Sequence, residues 1–340
     1  MSIASFTSRY LPPLEAEMQA LVQTNEAPHA GLFGMLRYHL GWVDEAFRPQ
    51  AAESGKRIRP LMCLLTCEAC EGKWEQAIPA AAAIELLHNF SLIHDDIEDR
   101  DTTRRGRATL WTIWGEPQAI NAGDALFSLA QLALLKTGQR GVDPATVIAA
   151  HTLFNETCVA LTAGQFMDIG FETRQDVTVA DYLTMISGKT AALAACACKM
   201  GALLAGAPDP RQRDLRAFGY HVGLAFQMRD DVLGVWGDPA VTGKPAGSDI
   251  GRRKKSLPIL HGIEHSSELR ALLGGDGELT DANVQHAVEL LEGTSSREYA
   301  EALAAEHHTL ALQALDQAAV SGEAGWSLYE LAGLLASRQS

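Results

Sequence analysis

The stretch AAAAIELLHNFSLIHDDIEDRDTTRRG, residues 80–106, joins an apolar run to an acidic cluster and then to a basic segment. Ala, Leu and Glu are good helix formers, and the spacing predicts one helix from Ala80 to Asp99. Asp95 and Asp99 are four residues apart and therefore share a face of that helix, with Asp96 beside them. Carboxylates packed this densely repel one another. Oxygen ligands of this kind favour a hard cation such as Mg²⁺.

Basic side chains follow the acidic cluster directly. Arg104 and Arg105 begin this basic segment, and guanidinium groups match phosphate oxygens in a bidentate geometry. A second basic segment, GKRIRP at residues 55–60, contains Lys56 and Arg59, which can converge on one helix face and hold another anion. Carboxylates for a metal beside arginines for a phosphate indicate chemistry on small diphosphates.

A second acidic cluster, QMRDD at residues 227–231, also ends an apolar helical run. A Gly- and Pro-rich segment containing Lys244 follows it and leads to the basic residues 252–255. Such a segment can bring cationic side chains over a bound phosphate, as lids do. Between the clusters, SGKT at residues 187–190 interrupts an apolar helical pattern and predicts a kink. It is not a P-loop, because that motif needs Gly where this chain has Leu183.

Composition limits the fold class and the ligands. The chain has 340 residues, 47% of them apolar, and a net charge of −14. Helical periodicity runs through nearly all of the sequence without a Gly/Ser-rich or Pro-rich linker, which predicts one all-α bundle domain over residues 1–340. The acidic charge argues against nucleic acid as a ligand. The sequence has no signal peptide pattern and no long uncharged apolar stretch, so we expect a cytoplasmic protein without stable membrane insertion.

Seven motifs follow one another along the chain: GKRxRP, HDDxxD, RRG, GKT, FQxxDD, GKP and KxSLP. In this order they resemble the trans-prenyltransferase (polyprenyl diphosphate synthase) family, and in particular its short-chain farnesyl and geranylgeranyl diphosphate synthases. The resemblance implies a single all-α bundle around a central cavity, of the isoprenoid synthase type, in a homodimer. It also implies a Mg²⁺-dependent enzyme that condenses isopentenyl diphosphate head to tail with an allylic diphosphate into an all-trans prenyl diphosphate.

The resemblance implies a role for each matching residue. Three Mg²⁺ ions would be held by Asp95, Asp99 and Asp230. The catalytic set would comprise Asp95, Asp96, Asp99, Lys189, Thr190, Gln227, Asp230 and Asp231. The allylic diphosphate would be bound by Arg104, Lys189, Gln227, Lys244 and Lys254. Isopentenyl diphosphate would be bound by Lys56, Arg59, His88 and Arg105. Asp168 and Gln165 match a weaker family motif near the allylic site.

The second acidic motif departs from the family pattern. It usually ends in a third Asp, and this chain has Gly234 at that position. Asp230 is retained, so we expect metal binding to survive. Asp238, four residues further along, is one candidate for the missing carboxylate.

Product length depends on the residues just before the first acidic motif. An aromatic residue followed by a small one, here Phe90 and Ser91, resembles the pattern of twenty-carbon synthases. Geranylgeranyl diphosphate is therefore the favoured product, with farnesyl diphosphate next. A helical wheel turns Phe90 away from Asp95 and places Ser91 below it, so the floor of the cavity could instead be formed by Leu87.

Two other functions stay open at this stage. A class I terpene cyclase also ionises an allylic diphosphate at DDxxD, but it needs no site for isopentenyl diphosphate, and residues 55–60 and 104–105 supply one here. A non-catalytic regulatory subunit of a prenyl synthase is supported by Gly234 alone. The retained aspartates and arginines argue against it.

Overall fold

The computed structural model describes residues 3–52, 55–239, 247–275 and 277–337. Over these residues the chain is almost entirely helical, which confirms the predicted all-α class. Its α-helices are, in chain order, α1 (Ile3–Leu21), α2 (Ala30–His39), α3 (Ile58–Ala69), α4 (Trp74–Glu98), α5 (Leu110–Trp114), α6 (Glu116–Gln139), α7 (Pro144–Thr173), α8 (Val179–Ile186), α9 (Ala192–Leu204), α10 (Asp209–Trp236), α11 (Ser248–Gly251), α12 (Leu257–His265), α13 (Ser267–Gly274), α14 (Asp281–Gly293), α15 (Ser296–Gln317) and α16 (Gly322–Ala336). A short 3₁₀ turn covers Ala27–His29, a π-helical turn covers Ser187–Ala191, and two strands, β1 (Thr103–Arg104) and β2 (Arg107–Ala108), form a hairpin.

The described residues form two compact units. The first unit runs up to Cys158 and also contains Cys196–Gln212 and Val320–Leu328. The second unit contains Val159–Ala195, Arg213–Ala319 and the residues from Tyr329 onward. The expectation of one domain over the whole chain stays a prediction.

Helix α4 is the centre of the first unit, where it packs against α1, α3 and α6. Every residue from Ala77 to Leu87 is buried, as expected of a helix that is apolar on all sides. The helix is longer than the sequence predicted, because it begins at Trp74 and not at Ala80. Its other end was predicted closely: Glu98 is the last helical residue and Asp99 is the C-cap.

The RRG motif forms the tip of the β1–β2 hairpin. Thr103 pairs with Ala108 and Arg104 with Arg107, so Arg105 and Gly106 are the two loop residues. Their φ angles are 52° and 71°, and positive φ at both positions characterises the tight turn that matches the twist of a hairpin. Glycine accepts this conformation without strain, which explains its place in the motif.

A buried apolar cluster forms the core of the second unit. It joins Tyr182 on α8, Met228 on α10 and Leu257 on α12. The predicted interruption at SGKT is confirmed as the π-helical turn Ser187–Ala191. There the backbones approach closely, because a Cβ on Gly188 would lie 2.5 Å from the Ala160 carbonyl oxygen on α7. Glycine is therefore required at the turn that carries Lys189 and Thr190.

Candidate active site

The first acidic cluster lies at the C-terminal end of α4, and its three aspartates differ in solvent exposure. Asp96 is 2% exposed, Asp95 is half-buried and Asp99 is exposed. Arg104 reaches back from β1, with Nε 2.6 Å from Asp96 Oδ1 and a terminal nitrogen 3.4 Å from Asp95 Oδ2. Burial raises the pKa of Asp96 to about 7, and Arg104 opposes that shift. Asp96 therefore anchors Arg104, while Asp95 and Asp99 keep oxygen atoms near solvent.

A group of basic side chains lies beside this cluster in the first unit. Arg59 on α3 donates a hydrogen bond to His88 Nε2 on α4, at 3.2 Å, while the Arg59 Nε has no hydrogen-bond partner. Burial and the nearby arginines hold the pKa of His88 well below its ordinary value, so this imidazole is neutral. Arg105 also belongs here, because a Cβ on Gly55 would lie 2.8 Å from its guanidinium. Lys56 is exposed just before α3.

His39, at the end of α2, is a member of this group that the sequence reasoning missed. Burial lowers its pKa to about 3, and Arg104, Arg105 and Arg57 add to the shift. Its Nε2 is buried without a hydrogen-bond partner. A small pocket here is lined by His39, Arg104 and Arg105 together with Tyr38, Asp96, Arg107, Ala108, Thr109 and Leu110. Positive charge surrounds a neutral imidazole, which is an environment suited to an anion.

The arginine between Lys56 and Arg59 has a different role. The Arg57 side chain is 2% exposed and donates to Glu85 at 2.6 Å and to Glu15 at 2.8 Å. Glu85 also accepts from Asn89, at 2.9 Å. Arg57 therefore ties α1, α3 and α4 together, and its charge is neutralised inside the protein. The basic hexamer therefore contains one structural arginine, Arg57, and one, Arg59, that contacts His88.

The three candidate chain-length residues lie on successive parts of α4. Leu87 is fully buried, whereas Phe90 and Ser91 are half-buried. The Phe90 ring packs against Phe127 of α6, with ring centroids 5.2 Å apart. The Ser91 hydroxyl donates to the carbonyl of His88, at 2.8 Å. Of the three, Phe90 and Ser91 retain surface that a ligand could touch.

In the second unit, a hydrogen-bonded chain runs from the π-helical turn to α10. Thr190 donates to Gln227 Oε1 at 2.9 Å, and Gln227 donates to Asp231 Oδ1 at 3.0 Å. Asp231 is 1% exposed and also accepts from the Tyr182 hydroxyl at 2.5 Å and the Leu257 amide at 3.0 Å. Burial raises its pKa to about 6, against the opposing effect of Lys254 and these donors. Asp231 is thus enclosed by protein donors and orients Gln227.

Asp230, the neighbour of Asp231 on α10, is exposed. Lys189 Nζ lies 2.5 Å from Asp168 Oδ2 on α7, so the weak family motif at Asp168 has a partner on the π-helical turn. Burial opposes a charge on Lys254, but Asp231 and Asp249 outweigh it and raise the pKa of this lysine. Lys254 is therefore a charged group among carboxylates, and Lys189 is paired with Asp168. The predicted Lys244 lies outside the described residues.

Three carboxylates, two in the first unit and one in the second, fit Mg²⁺ by their chemistry. Asp95, Asp99 and Asp230 offer only oxygen, the ligand that Mg²⁺ prefers. Among the residues the structure describes, no three His, Cys, Asp or Glu side chains converge as they would in a closed metal site. Mg²⁺ keeps several waters and is bound by one or two carboxylates together with substrate phosphates. In the described part of the chain, no helix is long and apolar enough to cross a bilayer.

Comparison with known proteins finds similarity to one family. The sequence model of the polyprenyl synthetase family matches residues 41–291. A (2E,6E)-farnesyl diphosphate synthase of Mycobacterium tuberculosis is 40% identical over 313 residues, which cover 90% of this chain and 86% of that protein. A geranylgeranyl diphosphate synthase of the same organism is 41% identical over 297 residues, covering 86% of this chain and 84% of the relative.

Solved structures agree with the sequence relatives. A polyprenyl synthetase from Streptomyces coelicolor superposes with a TM-score of 0.89 at 34% identity, covering 98% of this chain and 99% of the other. A geranylgeranyl pyrophosphate synthetase from Pyrococcus horikoshii superposes with a TM-score of 0.87 at 33% identity, covering 99% and 98%. The names of these proteins include both fifteen- and twenty-carbon synthases, so they leave product length undecided.

Proposed function

This chain belongs to the polyprenyl synthetase family, and from that premise we propose that it joins isopentenyl diphosphate head to tail to an allylic diphosphate and favours geranylgeranyl diphosphate as product. It is a trans-isoprenyl diphosphate synthase, as the order of its motifs predicted. Farnesyl diphosphate is the next candidate product.

The basic side chains of the first unit are the main support for isopentenyl diphosphate as the second substrate. Arg59 has a guanidinium nitrogen without a protein partner, held beside a neutral His88. A guanidinium kept in this way is suited to the diphosphate of isopentenyl diphosphate, which can supply the missing acceptors. Arg105, Lys56 and His88 complete the proposed binding set. An enzyme that acted on an allylic diphosphate alone would not need this second binding set.

The second unit supplies groups for the allylic substrate. Lys189 and Lys254 would balance the charge of the departing diphosphate. Gln227 and Thr190 would present oxygen atoms to the allylic cation, since their hydrogen bonds fix the direction of both side chains. Asp231 acts behind them as a positioning residue. The proton released on condensation would pass to the departed diphosphate.

Asp95, Asp99 and Asp230 would hold Mg²⁺, and the family resemblance implies three ions. When bound, Mg²⁺ neutralises charge on the diphosphate leaving group. Asp96 supports the first cluster through its hydrogen bond with Arg104.

The decisive experiment replaces one carboxylate in each cluster. Asp95→Ala and Asp230→Ala should each reduce turnover about a thousandfold or more, because neutralisation of the leaving group is usually the largest catalytic contribution. Circular dichroism should show both variants folded. Glu98→Ala, which removes an exposed carboxylate from the same helix end at a variable position of the HDDxxD motif, is the matched control. Near-normal incorporation of labelled isopentenyl diphosphate by either Asp variant would refute the assignment.

Product length and the two alternatives are tested in the same assay. The purified enzyme is supplied in turn with dimethylallyl, geranyl and farnesyl diphosphate, with and without isopentenyl diphosphate, and products are separated by chromatography. A twenty-carbon main product supports the proposal, and a fifteen-carbon product corrects its length. A hydrocarbon formed from the allylic substrate alone would indicate a terpene cyclase. Inactivity of the purified chain alone would indicate a regulatory subunit.

The exposed apolar side chains of α6 and α7 support the homodimer. Leu135 is 52% exposed and Ile148 is 67% exposed. They lie one and two turns from Gln131 and Asn155, which join the two helices by hydrogen bonds of 2.9 and 3.3 Å. A second copy of this chain would cover such a patch. Light scattering should give twice the chain mass, and Leu135→Glu should lower it. A cytoplasmic location stays a prediction.

A further inference from the structure

Arg107, on β2, joins the β1–β2 hairpin to the end of α2. Its two terminal nitrogens donate to the carbonyl oxygens of Tyr38, at 2.9 Å, and Val43, at 2.7 Å. Its guanidinium also lies over the Tyr38 ring, 3.8 Å from the ring centroid. In the other direction, the Tyr38 hydroxyl donates to the carbonyl of Ala108 at 2.9 Å. Three hydrogen bonds and a cation–π contact therefore hold β2 against residues 38–43.

The hairpin has few contacts of its own to fix its position. It contains two residue pairs, Thr103 with Ala108 and Arg104 with Arg107, and an isolated two-stranded hairpin is at best marginally stable in water. Arg104 and Arg107 stand directly opposite each other, where like charges are destabilising. The position of the hairpin therefore depends on its contacts with other elements. These include the hydrogen bond from Arg104 to Asp96 and the contacts of Arg107 with α2.

Both sides of this contact line the small pocket in the basic group of the first unit. The end of α2 contributes Tyr38 and His39, and the hairpin contributes Arg104, Arg105 and Arg107. The Tyr38 carbonyl that Arg107 binds belongs to the peptide bond that leads directly to His39. A movement of the hairpin away from α2 would therefore separate His39 from Arg104 and Arg105 together.

The Tyr38 ring is itself fixed in place. Tyr38 is 4% exposed, and its ring meets the Trp114 ring of α5 edge to face, with centroids 5.2 Å apart. A buried ring that packs on a second aromatic ring is a rigid support for the guanidinium that lies over it. Arg107 thus binds to a part of the first unit that does not depend on the hairpin.

We propose that Arg107 is a positioning residue for isopentenyl diphosphate, because it holds the hairpin against α2 and so keeps Arg105 in the binding pocket. The assignment rests on the proposed function. A lysine at this position would keep the positive charge, but it lacks the planar fork that reaches two carbonyl oxygens and lies flat on a ring. The geometry of the arginine side chain is then required in addition to its charge.

The first test compares Arg107→Lys and Arg107→Met with wild type. In both variants, kcat/KM for isopentenyl diphosphate should fall about tenfold to a hundredfold, mostly through KM, because a small displacement of a binding group has effects of this size. The KM for the allylic substrate should change by no more than about twofold, since its binding does not depend on the hairpin tip. A KM for isopentenyl diphosphate in Arg107→Lys equal to that of wild type would overturn the proposal.

Arg100→Met is the matched control. Arg100 lies shortly before the same hairpin, where it pairs with Glu116 and lies over the ring of Trp111. Its side chain is 64% exposed, and an exposed ion pair contributes little to stability. We expect this variant to keep the wild-type KM for both substrates.

The second test measures whether the hairpin is loosened. Hydrogen–deuterium exchange of the peptide that covers residues 102–110 should be faster in Arg107→Lys than in wild type and Arg100→Met, because fewer contacts oppose local opening. The helices of the first unit should exchange as in wild type. Loss of substrate affinity with wild-type exchange in the hairpin would contradict a positioning role.

Tyr38→Phe provides a milder second variant. It keeps the ring under Arg107 and removes only the hydroxyl that donates to Ala108. The KM for isopentenyl diphosphate should rise about twofold to tenfold, as expected for one hydrogen bond. If neither Arg107 variant folds, an unchanged KM in Tyr38→Phe overturns the proposal.

Calorimetric titration with isopentenyl diphosphate separates this proposal from the proposed function. If wild type binds this compound but forms no prenyl diphosphate, the proposed function fails, and the Kd of Arg107→Lys relative to wild type still decides the role of Arg107. If wild type is active and Arg107→Lys binds the compound as wild type does, only the role of Arg107 fails. If wild type does not bind it, both fail.

Discussion

Arg57 and Arg59 are two residues apart, yet their replacement should change different properties. Arg57→Met should lower stability, and Arg59→Met should lower the affinity for isopentenyl diphosphate. Arg57→Met removes a buried cation and leaves Glu85, itself 4% exposed, without its ion-pair partner. Breaking a buried pair in this way costs about 3–5 kcal/mol. Arg59→Met removes a guanidinium whose Nε has no partner and whose hydrogen bond goes to a neutral His88. Little stability should be lost.

The size of both effects follows from the structure. With an unfolding entropy of about 2.1 cal/mol/K per residue, a chain of 340 residues loses about 1.4 °C of melting temperature per kcal/mol. Arg57→Met should therefore melt about 4–7 °C lower, and Arg59→Met within about 2 °C of wild type. Two charge-assisted hydrogen bonds from Arg59 to a diphosphate contribute about 1.5–3 kcal/mol each. Their loss should raise the KM for isopentenyl diphosphate about 10²- to 10⁴-fold.

Thermal unfolding without substrate and initial rates at varied isopentenyl diphosphate test this pair of variants. Each variant is the control for the other, since both lose one positive charge from the same six-residue motif. The KM for the allylic substrate should change little in Arg59→Met. A reversed result, in which Arg57→Met loses substrate affinity at an unchanged melting temperature, would refute the division of roles.

Three further predictions concern other parts of the two units. Phe90→Ala removes the ring that packs on Phe127 and should lengthen the products; an unchanged chromatogram would place the floor elsewhere. Tyr182→Phe leaves Asp231 with one donor fewer and should lower the free energy of unfolding by about 1.5–3 kcal/mol, measured by urea titration. The unfolded chain protonates His39 below pH 6.5 but the folded chain, with a pKa of about 3 there, does not. Stability should therefore fall by on the order of 1 kcal/mol per pH unit from pH 6.5 to 5, and His39→Asn should reduce this slope.

The features that depend on neighbouring residues could be predicted from the sequence. Helical periodicity predicted the fold class, and helix geometry predicted that Asp95 and Asp99 lie together near the end of one helix. The resemblance added the family. All of these depend on local geometry, in which residues a few positions apart are close in space.

The sequence could not predict which residues of each motif are buried in structural contacts and which are exposed. That difference depends on contacts between segments that are distant in the chain. Arg57 is structural since Glu15, on α1, reaches it. Asp231 is enclosed while Asp230 is exposed, because Tyr182 and the amide of Leu257 lie on one side of α10. Tertiary packing decides which of two adjacent identical residues is exposed to solvent. A sequence motif does not record that packing.

The close approach of two helices at Gly188 constrains the side chains that follow it. A Cβ at position 188 would lie 2.5 Å from the Ala160 carbonyl oxygen, so a larger residue there must push α7 and the π-helical turn apart. Lys189 and Thr190 lie on the same turn. A single added methyl group at position 188 would therefore shift both side chains at once, although it touches neither of them.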